Sequence, residues 1–435
     1  MSSRRILRFV HCADLHLDSP FEGLATVDPE IAETLRASTF QAFERVVDLA
    51  IREEADFLIV AGDVYDSASS SLAAQLRFRA GLERVTDEGI RCFVAHGNHD
   101  PLSGWDAGLA LPPGAHRFGG DRIERVLVRR RGEDLAAVYG ISYAQRVVEE
   151  NLAQRFAASG DTFSIGVLHC EVVEGQTASP YAPCSFTDLE RSGVDYWALG
   201  HSHAPRVLGD EHPTVVYAGT PQGRHPREIG PHGCFLVDVE ALEEGGYRTH
   251  PRFVATDVVR WSRALLDIAE VPDLERLLDK IHQVIAGERE RSREPDGRPR
   301  PTVLRLELIG RGPLHKLLQQ IDAERDLAQP LRRGEKDRDD QVWIESVRIA
   351  SRPALDAAEL RRQESSLGDF LRATDRLREQ TAPAEEIRQR LGRRGEFARL
   401  AAIVRTMEDH ELLALIDEAE ALGLDLLADG GETPT

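Results

Sequence analysis

The sequence predicts an α/β fold, and two observations predict it. Through the first half of the chain, short apolar runs of strand length alternate with longer stretches of helical periodicity. Several of those strand runs end in short polar motifs rich in Asp, His, Asn and Gly. In α/β sheets, sites form in the loops beyond the carboxyl ends of strands.

The elements read in order as follows. Ile6 to Cys12 is a buried strand. Asp28-Pro29 starts a helix, with Asp as N-cap and Pro at the first helical position, and Ile31, Leu35, Phe43, Val46, Val47 and Ile51 follow helical spacing. Phe57 to Val60 is a second strand, Leu72 to Asp87 a helix, and Arg91 to Ala95 a third strand. Further strands fit Leu135 to Tyr143, Phe163 to Leu168, Tyr196 to Leu199, Thr214 to Ala218 and Cys234 to Val239. The mixture of βαβ units and strand pairs suits a layered α/β domain.

The pattern changes near Thr256. A strand, a helix (Val271 to Ala286), a strand (Thr302 to Ile309), a helix (Leu314 to Ile321) and a strand (Gln341 to Ile349) make a small α+β unit. Gly287 to Pro301 is charged and rich in Pro and Gly, which predicts an exposed loop. From about Ala354 no strand signal remains. Amphipathic patterns run through Leu360, Leu367, Phe370 and Leu371 and again from Leu412 to Leu427, broken by Pro383 and ending in a frayed tail. The chain thus divides into 1–255, 256–352 and 353–435.

Composition narrows the class. The 435 residues allow two to three domains, and a hydrophobic fraction of 41% is ordinary for a globular protein. No apolar run approaches the roughly 20 residues needed to span a bilayer. Ile6 to Val10, broken by Arg8, does not read as a signal peptide. The expectation is a cytoplasmic protein without a membrane partner. The five cysteines are odd in number and lack CxxC spacing, so they read as reduced core residues. A net charge of −20 runs against the basic footprint of nucleic-acid enzymes. Bound cations would offset it locally, and a partner would supply further grip.

The motifs at the strand ends are Asp14-Leu15-His16, Gly62-Asp63, Gly97-Asn98-His99-Asp100, His169 and Gly200-His201-Ser202-His203. Together they offer carboxylate, imidazole and amide oxygen, the ligands of hard and borderline divalent metals. Gly62, Gly97 and Gly200 suit tight turns that bring the backbone close to such ions. Each motif alone is weak, and an isolated D-x-H is more often a surface loop. Their conjunction, each at a strand end, is strong.

In this order the set resembles the calcineurin-like metallophosphoesterases, and within them the SbcD-type DNA repair exonucleases of the YhaO-like branch. His11-Cys12-Ala13-Asp14-Leu15-His16-Leu17, Gly62-Asp63-Val64-Tyr65-Asp66 and Tyr196-Trp197-Ala198-Leu199-Gly200-His201 carry the narrower resemblance. Ala218-Gly219-Thr220-Pro221-Gln222-Gly223-Arg224-His225 adds a branch-specific match. The resemblance covers roughly the first 240 residues. It implies a four-layer α/β/β/α sandwich with a smaller α+β capping domain and a helical C-terminal tail. It implies two divalent metals, usually Mn2+, with Asp14, His16 and His203 on the first, Asn98, His169 and His201 on the second, and Asp63 between them. It makes His99 the general acid on the leaving oxygen and Asp100 the carboxylate that fixes the His99 tautomer. It implies hydrolysis of phosphodiester bonds at linear DNA ends, a partner ATPase of the SMC-like SbcC or YhaN type docked on the C-terminal helices, and a homodimer.

Alternatives remain at several positions. Arg224 and His225 have two readings, phosphate contact or pairing with Glu228. Tyr65 and Asp66 read as loop caps with a possible brush against substrate, His11 and His96 as packing residues. Arg129-Arg130-Arg131 and the arginines from Arg289 to Arg300 read first as solvated charge and second as DNA contacts. The competing functions are a small-molecule metallophosphodiesterase of the same superfamily and a non-catalytic scaffold that retains the fold. A protein phosphatase is disfavoured, because the second motif lacks an Arg-Gly ending.

Overall fold

The computed structural model describes residues 4–19, 29–66, 71–104, 109–173, 179–209, 212–335, 338, 340–355 and 357–379, with a few positions between 407 and 424. The chain opens with β1 (Arg4–Cys12), α1 (Pro29–Arg52), β2 (Phe57–Ala61), α2 (Leu72–Asp87), β3 (Arg91–Ala95) and β4 (Ala115–Arg117). It continues through β5 (Glu124–Arg130), β6 (Glu133–Gly140), β7 (Phe163–His169), α3 (Phe186–Arg191), β8 (Tyr196–Gly200), β9 (Arg206–Gly209), β10 (Thr214–Tyr217), β11 (Gly233–Ala241) and β12 (Tyr247–Ala255).

These strands build two six-stranded sheets, ordered β12-β11-β1-β2-β3-β4 and β5-β6-β7-β8-β10-β9. The central strands of each run parallel, while β11, β12, β5 and β9 add antiparallel flanks. Alternation of side chains gives each strand two buried faces. Phe9, Ile59 and Phe93 face one way and meet Val138, Ile165, Ala198 and Val216 of the second sheet. Val10, Leu58, Val60 and Val94 face the other way, onto Phe43, Val46 and Val47 of α1 and Phe78 and Leu82 of α2. The outer face of the second sheet, through Leu168, Trp197 and Leu199, packs on Leu152, Phe156 and Leu189 of α3 and its neighbouring turn. The layers therefore run helix, sheet, sheet, helix, as the expected sandwich requires. All five cysteines are reduced and buried, as read from the sequence.

The remaining elements are β13 (Arg260–Asp267), α4 (Leu274–Ser292), β14 (Thr302–Ile309), β15 (Arg311–Gly312), α5 (His315–Leu318), α6 (Ala323–Glu335), β16 (Val342–Ile349), β17 (Arg352–Pro353), α7 (Ala357–Arg362) and α8 (Ser366–Arg378). Strands β13, β14 and β16 form a three-stranded sheet. Two departures from expectation stand out. Helix α4 runs on through Gly287 to Ser292, so the charged segment is loop only beyond that point. The helix expected over Leu314 to Ile321 is only the short α5, and the longer α6 follows it.

The chain forms two compact units, Met1–Leu266 with Glu275–Ile309 and Gln319–Ala350, and Asp267–Leu274 with Gly310–Leu318 and Ser351–Thr435. In the second, Glu420 ties α7 to α8 through Arg361 at 2.9 Å and Thr374 at 2.8 Å. Most of the helical pattern from Leu412 to Leu427, like Asp28 and Pro383, lies outside the described residues. No helix among the described residues is long and apolar enough to cross a membrane.

Candidate metal centre

The strand-end loops are zipped together by main-chain hydrogen bonds that continue the β1–β2 pairing. Asp14 N donates to Gly62 O (3.0 Å), His16 N to Asp63 O (3.1 Å) and Leu17 N to Val64 O (2.9 Å). The turns are tight enough to force left-handed backbone at Asp14 (φ 50°), His16 (43°), Asp63 (47°) and His201 (98°). Side chains other than glycine are strained in that conformation, and such strain clusters at functional sites. His201 N is held by Asp14, 3.0 Å from Oδ1, and His99 N donates to Asp63 Oδ1 at 3.0 Å.

The side chains converge. Asp14, His16 and His203 bring one donor atom each within 4.8 Å of one another, and so do Asp14, Asp63 and His169. Asp63 Oδ2 lies 3.4 Å from His169 Nε2 and 3.8 Å from His16 Nε2, so one carboxylate oxygen addresses both groups. Asn98 Oδ1 is 3.0 Å from His169 Nε2, and the His201 ring is centred 5.3 Å from the His169 ring. All the metal-type residues expected from the motifs are thus brought to one place. Tyr181, not singled out in the sequence, lies against His201 with ring centroids 4.7 Å apart.

The ring nitrogens show what the site can hold. His169 Nδ1 is 3.1 Å from Ala61 O and must be the donor, which turns Nε2 toward the Asn98 and Asp63 oxygens, where a cation would take the place of a proton. His203 Nδ1 is hydrogen-bonded to Glu228 Oε1 at 2.6 Å, and Asp66 Oδ1 lies 3.0 Å from His16 Nδ1. Their Nε2 atoms then face each other at 3.2 Å. At that separation the two nitrogens share either a proton or a cation. Together with carboxylate and amide oxygens, this donor set fits divalent cations.

Electrostatics agree. Burial, helped by the charge of Arg224, lowers His16 to about 3. Burial and the charge of His169 lower His201 to about 4, so both imidazoles are neutral. Burial also works against a charged His169, but Asp63 and Asp14 overcome it and lift this group to about 9. For Asp63, burial is outweighed by His169 and His16, which hold its carboxyl below the usual carboxylate range.

The three motif glycines make room for His169. A Cβ on Gly62 would stand 2.2 Å from His169 Nδ1, one on Gly97 2.3 Å from Asp63 Oδ1, and one on Gly200 2.0 Å from Ala61 O. Close approach of backbone to ligand, expected at these positions, is therefore approach to the imidazole itself.

The family description "Calcineurin-like phosphoesterase" matches residues 7–205, and "Metallophosphoesterase YhaO, middle domain" matches residues 261–352. The uncharacterized metallophosphoesterase YhaO of Bacillus subtilis (strain 168) is 37% identical over 308 residues, 71% of this chain and 72% of the relative. The chain belongs to the calcineurin-like metallophosphoesterases. The DNA double-strand break repair protein Mre11 of Aeropyrum pernix is 30% identical over 247 residues, 53% of this chain and 57% of that protein. The SbcD component of the nuclease SbcCD of Bacillus subtilis is 24% identical over 296 residues, 59% of this chain and 73% of that one. These relatives support the SbcD-like branch, and this metallophosphoesterase is a phosphodiester-cleaving hydrolase.

One expectation is corrected. Asp100 does not serve as the His99 partner. Its Oδ1 accepts from Gly97 N at 2.9 Å, and its Oδ2 accepts from Val64 N at 2.9 Å and sits 3.0 Å from His96 Nδ1. The carboxylate is turned into the protein to brace two metal-site loops. His99 Nδ1 instead meets Asp66 O at 3.0 Å and must be the donor, so the Asp66 main chain orients the ring. Arg224 reaches Asp66 Oδ1 at 2.9 Å and Ser19 Oγ at 2.6 Å, while its backbone N donates to Glu228 Oε2 at 2.6 Å. Of the two sequence readings of Arg224, the structure bears on pairing: the backbone N–H meets Glu228, while the guanidinium pairs with Asp66. His225 Nδ1 accepts from Arg227 N at 3.1 Å and is a turn residue.

Proposed function

We propose that this metallophosphoesterase is a DNA exonuclease that hydrolyses phosphodiester bonds at linear DNA ends in DNA repair, with two Mn2+ ions. The observation that carries the reading is the convergence of two donor groups on the shared Asp63 carboxylate, with His99 at the rim, its side chain 35% exposed. In the proposal Asp14, His16 and His203 hold the first cation, Asn98, His169 and His201 the second, and Asp63 bridges. When bound, such ions supply Lewis-acid charge for phosphate and for the attacking water.

The chain's own residues complete the chemistry. His99, anchored through Nδ1, presents Nε2 to the leaving oxygen and, as the imidazolium, gives it the Nε2 proton and is left neutral. Arg224 offers a fixed positive charge, and its Nε has no hydrogen-bond partner among the described residues. It supplies a phosphate contact, with His225 beside it in sequence. The names of the relatives, a double-strand break repair protein and a nuclease, support DNA as substrate. By the same analogy we carry forward a homodimer, an SMC-like ATPase partner on the helices from residue 353 onward, and the division into 1–255, 256–352 and 353–435.

A second reading has a specific observation behind it. The arginines from Arg289 to Arg300 are engaged in ion pairs, Arg289 with Glu335, Arg293 with Glu290, Arg298 with Asp296 and Arg300 with Glu294. With a net charge of −20, that leaves little basic surface there and suits a small phosphodiester. The test compares wild type with His99→Ala on linear duplex and single-stranded DNA in Mn2+, with bis-p-nitrophenyl phosphate as control. DNA degradation by wild type alone supports the exonuclease. Hydrolysis of the generic diester without DNA cleavage, even with an SMC-like ATPase added, supports the small-molecule enzyme.

A further inference from the structure

The two donor groups are braced differently. His169 is oriented by a main-chain carbonyl, Ala61 O at 3.1 Å. His16 and His203 are each backed by a carboxylate, Asp66 at 3.0 Å and Glu228 at 2.6 Å. A carboxylate behind an imidazole fixes its tautomer and strengthens it as a ligand, and its loss typically weakens metal affinity 10–100-fold.

Both carboxylates are in turn held by one short segment. Glu228 belongs to it, and Arg224 touches both, by its guanidinium to Asp66 (2.9 Å) and by its backbone N–H to Glu228 (2.6 Å). The segment is pinned at its two ends by Trp261 of β13. The indole Nε1–H donates to Gly223 O at 2.9 Å, and Trp261 O accepts from Gly230 N at 2.9 Å. Gln222 adds a bond from Nε2 to Val259 O at 2.7 Å and accepts from Val258 N at 2.8 Å. Trp261 lies within the stretch matched by the middle-domain description, residues 261–352.

We propose that residues 222–230 form a clamp that sets the affinity of the Asp14–His16–His203 position for a divalent cation, with Glu228, Arg224 and Trp261 as positioning residues. The inference rests on the reading that the centre holds two cations. Because the other position leans on the main chain, disturbing the clamp weakens one cation and leaves its neighbour in place. The middle domain thereby contributes to the metal centre without donating a ligand to it.

The test uses the full chain, stripped with chelator and titrated with Mn2+ by calorimetry and by equilibrium dialysis with metal analysis. Wild type, Glu228→Ala, Glu228→Gln, Arg224→Ala and Trp261→Phe are compared, each checked for its fold by circular dichroism. Wild type binds two ions. Glu228→Ala keeps one at wild-type affinity and binds the other about 10–100-fold more weakly. Glu228→Gln, which keeps an acceptor for His203, recovers part of the loss. Trp261→Phe, which removes the indole donor and keeps an aromatic ring, shifts the same ion in the same direction. Uniform weakening of both ions, or no weakening in variants that melt like wild type, overturns the clamp. Failure of wild type to bind Mn2+ overturns the two-cation reading itself.

Discussion

At the scale of the residue, the centre is a problem of fitting imidazoles among backbone turns. Gly97 shows how little room remains, since a Cβ there would stand 2.3 Å from Asp63 Oδ1 and 2.8 Å from the His169 ring. Gly97→Ala is therefore expected to lose Mn2+ binding while retaining the fold, as read by calorimetry alongside circular dichroism. Asp100 gives a different outcome. Removing its carboxylate leaves the buried N–H groups of Gly97 and Val64 without their acceptor, at roughly 1–3 kcal/mol for an unsatisfied buried group. Asp100→Ala should lose stability in urea unfolding, while the direct hydrogen bond from His99 to Asp66 persists. The ligand types were legible in the sequence because each sits in a short motif at the end of an apolar run. Their braces were not. Glu228 lies 25 residues from His203, and only the folded loop brings the two to 2.6 Å. Asp66 stood inside a quoted motif, but nothing in its spacing distinguishes it from Asp100 as the partner of His99.

At the scale of the element, legibility followed burial. The inner strands β1, β2, β3, β7, β8, β10 and β11 announce themselves as apolar runs because both their faces are covered. In the two six-stranded sheets, the strands that the sequence did not reveal are β4, β5, β9 and β12, and they are the outer strands. Half-exposed and charged, as in Arg206–Gly209, they lack the pattern that marks a core strand. Helix α6 was hidden in a similar way, because Pro330 and a run of charges obscure the few buried positions, Ala328 and Leu331. One short helix carries a testable cap. Ser185 and Asp188 form a reciprocal capping box at the start of α3. Ser185→Ala should cost about 1 kcal/mol by denaturant unfolding. The Ser185 hydroxyl holds the Asp188 carboxyl below the usual carboxylate range. A depressed carboxyl stabilises the fold above the unfolded value near 4 and loses that contribution as pH falls. The stability gap between wild type and Asp188→Ala should accordingly narrow below about pH 4.

At the scale of the whole molecule, charge that looked solvated from sequence proves structural. Arg300, with its side chain only 1% exposed, meets Glu294 at 2.6 Å and lies 3.7 Å from the fully buried Asp257. Arg45 of α1 joins them through Glu294 at 2.9 Å and Asp257 O at 2.8 Å. Removing one partner from a buried ion cluster strands the others, at about 3–5 kcal/mol. Arg300→Ala should destabilise the chain by that order in guanidinium unfolding, where a solvated loop arginine would change little. The same reasoning explains how an acidic protein can host an anionic substrate. The positive charge needed for phosphate is expected to come from the bound cations and Arg224, not from a broad basic face.

The central claim is that one carboxylate, Asp63, is shared by two cation positions. The most direct measurement is anomalous scattering at the manganese edge from crystals soaked in MnCl2. Two peaks, one on each side of the Asp63 carboxylate, are predicted; a single peak, or none at these residues, would contradict the account.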